Sequence, residues 1–190
     1  MAARWCRSTC TILIMKYFDE LKRSMEMIAD HPHTLFLGQA VACAGTGMSN
    51  TLKDVNDEKK LELPVCEDLQ MGMTNGLALA GKIPVSIFPR WNFLVLGTNQ
   101  IVNHLDKFSM ISDFKTKAII RTSIGSIRPL HPQHQHTGDY TEAFNSMCNN
   151  IEVIRLDEPE DIYTAYEKAL WREDGKSTIL VEWGDYYNEK

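Results

Sequence analysis

Long apolar runs are missing from this sequence of 190 residues, and with them any stretch able to cross a bilayer as a helix. A basic excess is missing too. The chain sets 20 Lys and Arg against 25 Asp and Glu, a formal net charge of −5. Proteins whose main task is to grip nucleic acid or an anionic membrane carry the opposite balance. Cysteine is sparse and unpatterned: Cys6, Cys10, Cys43, Cys66 and Cys148 are odd in number, scattered, and form no Cys-x-x-Cys pair. This argues against a disulfide framework and for a reduced, cytoplasmic setting. Cys6 and Cys10 have no nearby partners at zinc-finger spacing. There is no Gly-x-Ser-x-Gly elbow and no His-Glu-x-x-His pair. Gly45-Thr46-Gly47 lacks the third Gly of a dinucleotide fingerprint and the Lys of a P-loop, and reads as a turn. Residues 1–14 hold Arg4 and Arg7, no acid, and no apolar stretch followed by a cleavage site. They are expected to be an extension outside the fold, with one domain over 15–190.

What is present is an ordinary globular mixture, 44% hydrophobic and 24% charged, in a chain long enough to bury a core unaided. Apolar residues at Phe18, Leu21, Met25 and Ile28 predict a helix over Tyr17 to Ala29, stopped by His31-Pro32. Strands are predicted at Thr34 to Gly38, Ile83 to Phe88, Lys117 to Arg121, Ile151 to Leu156 and Ser177 to Glu182, with a brief extended piece at Leu61 to Cys66. Between them, helices are expected over Asp68 to Gly81, Asn92 to Met110, Asp139 to Cys148 and Pro159 to Leu170. Polar loops are expected at Ala44 to Lys60 and Thr122 to Gly138. Alternating strands and helices predict an α/β domain of three layers, α/β/α, around a mostly parallel sheet. Such sheets place ligands at the carboxyl ends of their strands, where this chain keeps its unusual residues.

Each of those residues has two readings at this point. Glu67-Asp68 either caps the helix that follows or does chemistry. That helix carries Gly72, Gly76 and Ala80 at four-residue intervals, followed by Gly81. An interior Gly costs on the order of 1 kcal/mol relative to Ala, so this face needs a close neighbour, either another subunit or the chain's own sheet. Phe88, Trp91 and Phe93 either fill the core or offer a flat surface to a ring. His131, His134 and His136 are solvated loop residues, metal ligands, or the source of one histidine in a substrate pocket. Arg121 and Arg128 lie at the start of and within the histidine-rich loop, without forming an arginine cluster.

Taken in order, Pro64-Val65-Cys66-Glu67, then Gly72, Gly76 and Ala80-Gly81, then Pro84, Phe88, Asn92-Phe93 and Asn99-Gln100, the sequence resembles the pyrimidine-binding domain of thiamine-diphosphate enzymes. The likeness is to the beta subunits of 2-oxoacid dehydrogenases and the central region of transketolases, and it spans roughly Leu35 to Glu182. It implies thiamine diphosphate as cofactor. It implies that Glu67 hydrogen-bonds the ring nitrogen of the aminopyrimidine and favours the imino form, whose nitrogen takes the thiazolium proton. Phe93 matches the aromatic that stacks on the pyrimidine, and Trp91 is expected beside it. His136 matches the loop histidine that faces substrate, with His134 competing for that role. Gln39 joins the cofactor-binding set where many relatives carry an acid, so the contact there is altered or lost; Asn99 replaces the usual Asp before Gln100.

The Gly-Asp-Gly motif and following Asn that hold magnesium in the diphosphate-binding domain are missing here. The resemblance therefore implies a subunit that is incomplete alone, in a homodimer or hetero-oligomer whose diphosphate-binding partner holds Mg2+. No metal ligand is expected in this chain. The implied substrate is a 2-oxoacid or a ketose, decarboxylated, oxidised or split by aldehyde transfer. Two rivals stand: a catalytically silent or truncated subunit of the same fold, and an unrelated α/β module that binds nucleotide at the Gly45 loop.

Overall fold

The computed structural model describes residues 16–43, 46–125, 127 and 131–188. The extension 1–14, Gly45 and Arg128 lie outside the described residues. Helix α1, Tyr17–Asp30, buries Tyr17, Leu21, Met25 and Ile28 on one stripe. Tyr17, rather than the expected Phe18, opens that stripe, and its hydroxyl donates to the carbonyl of Leu156. His31 is extended, as the residue before a proline must be, and the helix stops there.

Strands β1 (Thr34–Gly38), β2 (Lys60–Glu62), β3 (Ile83–Ile87), β4 (Ile119–Ile124), β5 (Ile151–Arg155) and β6 (Ser177–Trp183) form one sheet in the order β2-β1-β3-β4-β6-β5. Every neighbouring pair is parallel. Side chains alternate between two cores. Ile119 and Leu180 face a cluster shared with α1 and α7 (Pro159–Trp171). Ile120, Ile179 and Val181 face a second cluster with Met71, Trp91, Leu94 and Phe144. Those four come from α3 (Glu67–Leu79), α4 (Trp91–Leu94) and α6 (Thr141–Met147). The three expected layers are therefore present. No helix among the described residues is long and apolar enough to cross a membrane.

Three local expectations give way to tertiary contacts. The loop expected over 44–60 holds a one-turn helix, α2 (Gly47–Asn50), closed by a reciprocal cap between Thr46 and Ser49. The single helix expected over 92–110 is divided. After α4 it tightens to a 3-10 turn at Val95–Gly97, widens to a π turn at Gln100–Leu105, and ends in α5 (Phe108–Ile111). The cause lies in α3. A Cβ on Gly97 would sit 2.7 Å from Met71 Cγ, so the two segments touch there. The Asn75 side chain also donates to the Gln100 carbonyl at 3.0 Å, competing with the helix's own ladder.

The third revision is β4, which runs on through Thr122 and Ser123 in register with Val181 and Glu182 of β6. Ser123 donates to the Pro89 carbonyl at 2.7 Å. Arg121, wholly buried, makes a two-pronged ion pair with the equally buried Glu182 on β6. Tyr166 and Tyr187 also donate to that carboxylate. Arg121 is thus a core residue.

Candidate active site

Four chain segments leave the carboxyl edge of adjacent strands: those after Gly38, Glu62, Ile87 and Ile124. The first begins on a glycine that nothing else can replace without strain. Gly38 has φ +146, and a Cβ there would lie 2.3 Å from the carbonyl oxygen of Ile87. The chain turns out of the sheet at this point and carries Gln39 to Glu67. Gln39 Nε2 donates to Glu67 Oε1 at 3.3 Å.

Glu67 opens α3 and is 5% exposed. Its carboxylate accepts no backbone N–H among the described residues, and Gln39 is its one hydrogen-bond donor there. Glu67 thus makes no capping hydrogen bond, although it and Asp68 set negative charge in the first turn of the helix. What remains is a largely buried carboxylate with one donor from the protein, at 3.3 Å, and no oxygen that is both unpartnered and sealed from solvent.

Glu62, which the sequence reading passed over, organises the loop bearing Gln39. Its carboxylate accepts from the backbone N–H of Ala40 at 2.7 Å, Val41 at 2.8 Å, Ala42 at 2.7 Å and Cys43 at 3.3 Å. Ala40 is held in the left-handed region to make this possible, with φ 56. Partial burial pushes the Glu62 carboxyl up, but the four amide donors together outweigh it and hold the group below the usual carboxylate range. The only sequence signal was an acid ending a short strand.

A group held low in this way stabilises the fold fully above its ordinary pKa, and that stabilisation is lost as pH falls through the lowered value. Glu62→Gln is therefore expected to loosen the loop 39–43 at neutral pH. Hydrogen exchange at the amides of Ala40 to Cys43 should quicken by about tenfold or more. In the wild type acid produces the same loosening; in the variant it adds nothing.

The aromatic and histidine expectations separate clearly. Phe93, in α4, is half-buried, and its ring lies 5.2 Å from that of His136 at 42°. His136 ends a 3-10 turn, Gln133–His136, and its Nδ1 is buried without a partner. His131 and His134 are exposed, so His136 is the loop histidine brought to Phe93. Trp91 is wholly buried, 4.9 Å from the Phe144 ring and 6.4 Å from that of Tyr140. It sits in the core behind α4, where Phe88 is buried as well. No group of three or more His, Cys, Asp or Glu among the described residues is arranged to hold a metal ion.

Helix α3 leaves one face open. A Cβ on Gly76 would meet nothing within 4 Å, and on Gly72 only Gln100 Cδ at 4.0 Å. The chain's own sheet is not the close neighbour these glycines serve. Beside them Val65 is 78% exposed, Leu69 49% and Leu96 63%. Asn75 Oδ1 is buried there with no partner. This open face runs along the same helix that Glu67 begins.

Residues 21–187 match the family described as "Transketolase, pyrimidine binding domain". The pyruvate dehydrogenase E1 component subunit beta of Gracilaria tenuistipitata var. liui is 26% identical over 180 residues, which is 91% of this chain and 54% of that protein. The chloroplastic pyruvate dehydrogenase E1 component subunit beta-3 of Arabidopsis thaliana is 27% identical, over 91% of this chain and 43% of that one. The chain spans about half the length of the curated relatives it matches. Among solved structures it is similar to one described as "Split gene transketolase, inactive beta4 tetramer", with a TM-score of 0.67 at 15% identity over 90% of this chain and 52% of that one. It is similar also to benzoylformate decarboxylase from Polynucleobacter necessarius, with a TM-score of 0.62 at 15% identity over 93% of this chain and 31% of that one. At such identity the structural likeness concerns the fold.

Proposed function

The chain belongs to the transketolase pyrimidine-binding domain family, and from that premise we propose that it is the pyrimidine-side subunit of a thiamine-diphosphate enzyme acting on a 2-oxoacid or a ketose. The observation that carries this reading is Glu67: buried, with Gln39 its one hydrogen-bond donor among the described residues, at the start of a helix whose glycine face is uncovered. An aminopyrimidine presents ring nitrogens, which suit a carboxylate with spare acceptor capacity, and a flat face, which suits the half-buried Phe93 ring. Glu67, Phe93 and Gln39 would hold that ring, and Trp91 would brace Phe93 from the core. Once bound, thiamine diphosphate supplies a reactive carbon that stabilises negative charge next to a former carbonyl.

The protein's own work is then proton handling and exclusion of water. Glu67 would meet the ring nitrogen of the bound cofactor, and its burial would keep proton exchange there away from bulk solvent. His136 faces the substrate side across Phe93. The magnesium and the diphosphate grip belong to a partner with a diphosphate-binding domain, seated on the open α3 face. The pyruvate dehydrogenase beta subunits among the named relatives support a subunit completed by another chain.

Calorimetry with thiamine diphosphate and Mg2+ tests the reading: binding is expected with the diphosphate-domain partner present and not with this chain alone. Binding by neither would leave a silent subunit of the same fold. The docking face has its own signature. Gly76→Ala is expected to stabilise the isolated chain by about 0.5–1 kcal/mol, because Ala is the better helix former and the added methyl meets nothing. The same change should weaken association with the partner by about tenfold, read by titration, because the close approach is lost.

A further inference from the structure

Arg90 is the site's unclaimed cation. It follows β3 through Phe88 and Pro89 and precedes α4, so its backbone carbonyl accepts from the N–H of Phe93. Its side chain is half-buried. The chain's other well-placed arginines are spoken for: Arg121 by Glu182, Arg155 by Asp139 and Asp157, Arg172 by Glu152 and Asp174. Arg90 has no carboxylate within ion-pair distance among the described residues. Its one hydrogen bond is a long one, from Nη1 to the His136 carbonyl at 3.4 Å.

Burial works against its charge, and only the field of Asp185 opposes that effect. None of its nitrogens is sealed from solvent without a partner, so its remaining donors can be reached. The residue it touches, His136, has a buried Nδ1 that also lacks a partner. A partly desolvated guanidinium with idle donors, bonded to the backbone of a histidine whose own Nδ1 is unpaired, is a poor way to stabilise a fold and a good way to receive an anion.

We propose that Arg90, with His136, receives the anionic terminus of the substrate, a carboxylate or a phosphate, and so sets the substrate class of this site. The inference rests on the functional reading above and extends it. It makes Arg90 a specificity residue that acts on the substrate and leaves cofactor binding alone. Its planar fork suits two-pronged contact with either anion, which lysine matches only as a point charge.

The test is a titration of the full chain with pyruvate, inorganic phosphate and the neutral pyruvamide, following the His136 imidazole resonances by NMR and the affinity by calorimetry. One of the two anions should shift His136 saturably, and pyruvamide should not. A stronger response to pyruvate assigns a 2-oxoacid terminus; a stronger response to phosphate assigns a sugar phosphate. Arg90→Gln should weaken that binding at least tenfold, and Arg90→Lys should fall between. Should no anion bind the wild type, or should Arg90→Gln bind as the wild type does, the proposal is overturned. Thiamine diphosphate calorimetry on the Arg90→Gln complex separates the two claims. Intact cofactor binding with an unaltered anion response defeats this inference alone. Failure of the wild-type complex to bind cofactor defeats the reading beneath it.

Discussion

Glu67→Gln lowers turnover of the enzyme reconstituted with its partner by on the order of a hundredfold or more, a loss of about 2.7 kcal/mol in transition-state stabilisation. The substitution nearly preserves volume. It also preserves an oxygen for the Gln39 amide, so the contact that positions residue 67 survives. What it removes is the ability to hold and release a proton at that oxygen pair. The loss should therefore appear in kcat, with cofactor affinity changed only severalfold. A capping residue would behave differently: glutamine at the first turn of a helix costs a few tenths of a kcal/mol in stability and nothing in turnover. Glu67 accepts no helix N–H among the described residues, so little stability should change. Unfolding curves of the two proteins, set beside their steady-state kinetics, distinguish the two cases.

Glu182→Ala carries the largest expected effect on stability. The carboxylate is wholly buried and accepts from Arg121, Tyr166 and Tyr187. Removing it strands a guanidinium in the core and leaves the wholly buried Tyr166 hydroxyl without its acceptor. Such half-broken pairs cost about 3–5 kcal/mol, a large part of the roughly 5–15 kcal/mol that holds a domain together. Urea unfolding should show the midpoint falling accordingly. The pair itself is less valuable than this loss suggests. Arg121 Nη1 is buried with no partner, so desolvation is not fully repaid even in the wild type. Arg121→Met combined with Glu182→Leu is thus expected to recover most of the lost stability. If the double variant is as unstable as Glu182→Ala, packing rather than charge governs this part of the core.

What the sequence could reveal follows the range of the forces involved. The strand β1 and the helices α1 and α7 are written locally, in apolar periodicity, a proline after α1 and a proline at the start of α7. Glu67 was legible because its motif lies within one short stretch and precedes a glycine-spaced helix. The break in the segment 92–110 was not, because its own residues keep helical spacing; Met71 and Asn75 of another helix impose the change. The far end of β4 was hidden because Thr122 and Ser123 look like loop residues until their pairing with Val181 and Glu182 of β6 is known. Glu62 and Arg90 escaped for the same reason. One is defined by amides some twenty positions earlier, the other by a histidine carbonyl 46 residues later. Trp91 and Phe93 are two apart in sequence, yet one lies in the core and the other stands at the site, a difference set by the turn of α4.

The most direct measurement is the rate of deuterium exchange at the thiazolium C2 position of bound thiamine diphosphate, followed by NMR in the reconstituted complex. The account predicts rapid exchange with wild-type chain and exchange slower by about two orders of magnitude with Glu67→Gln, cofactor remaining bound. Equal exchange rates in the two complexes would contradict it.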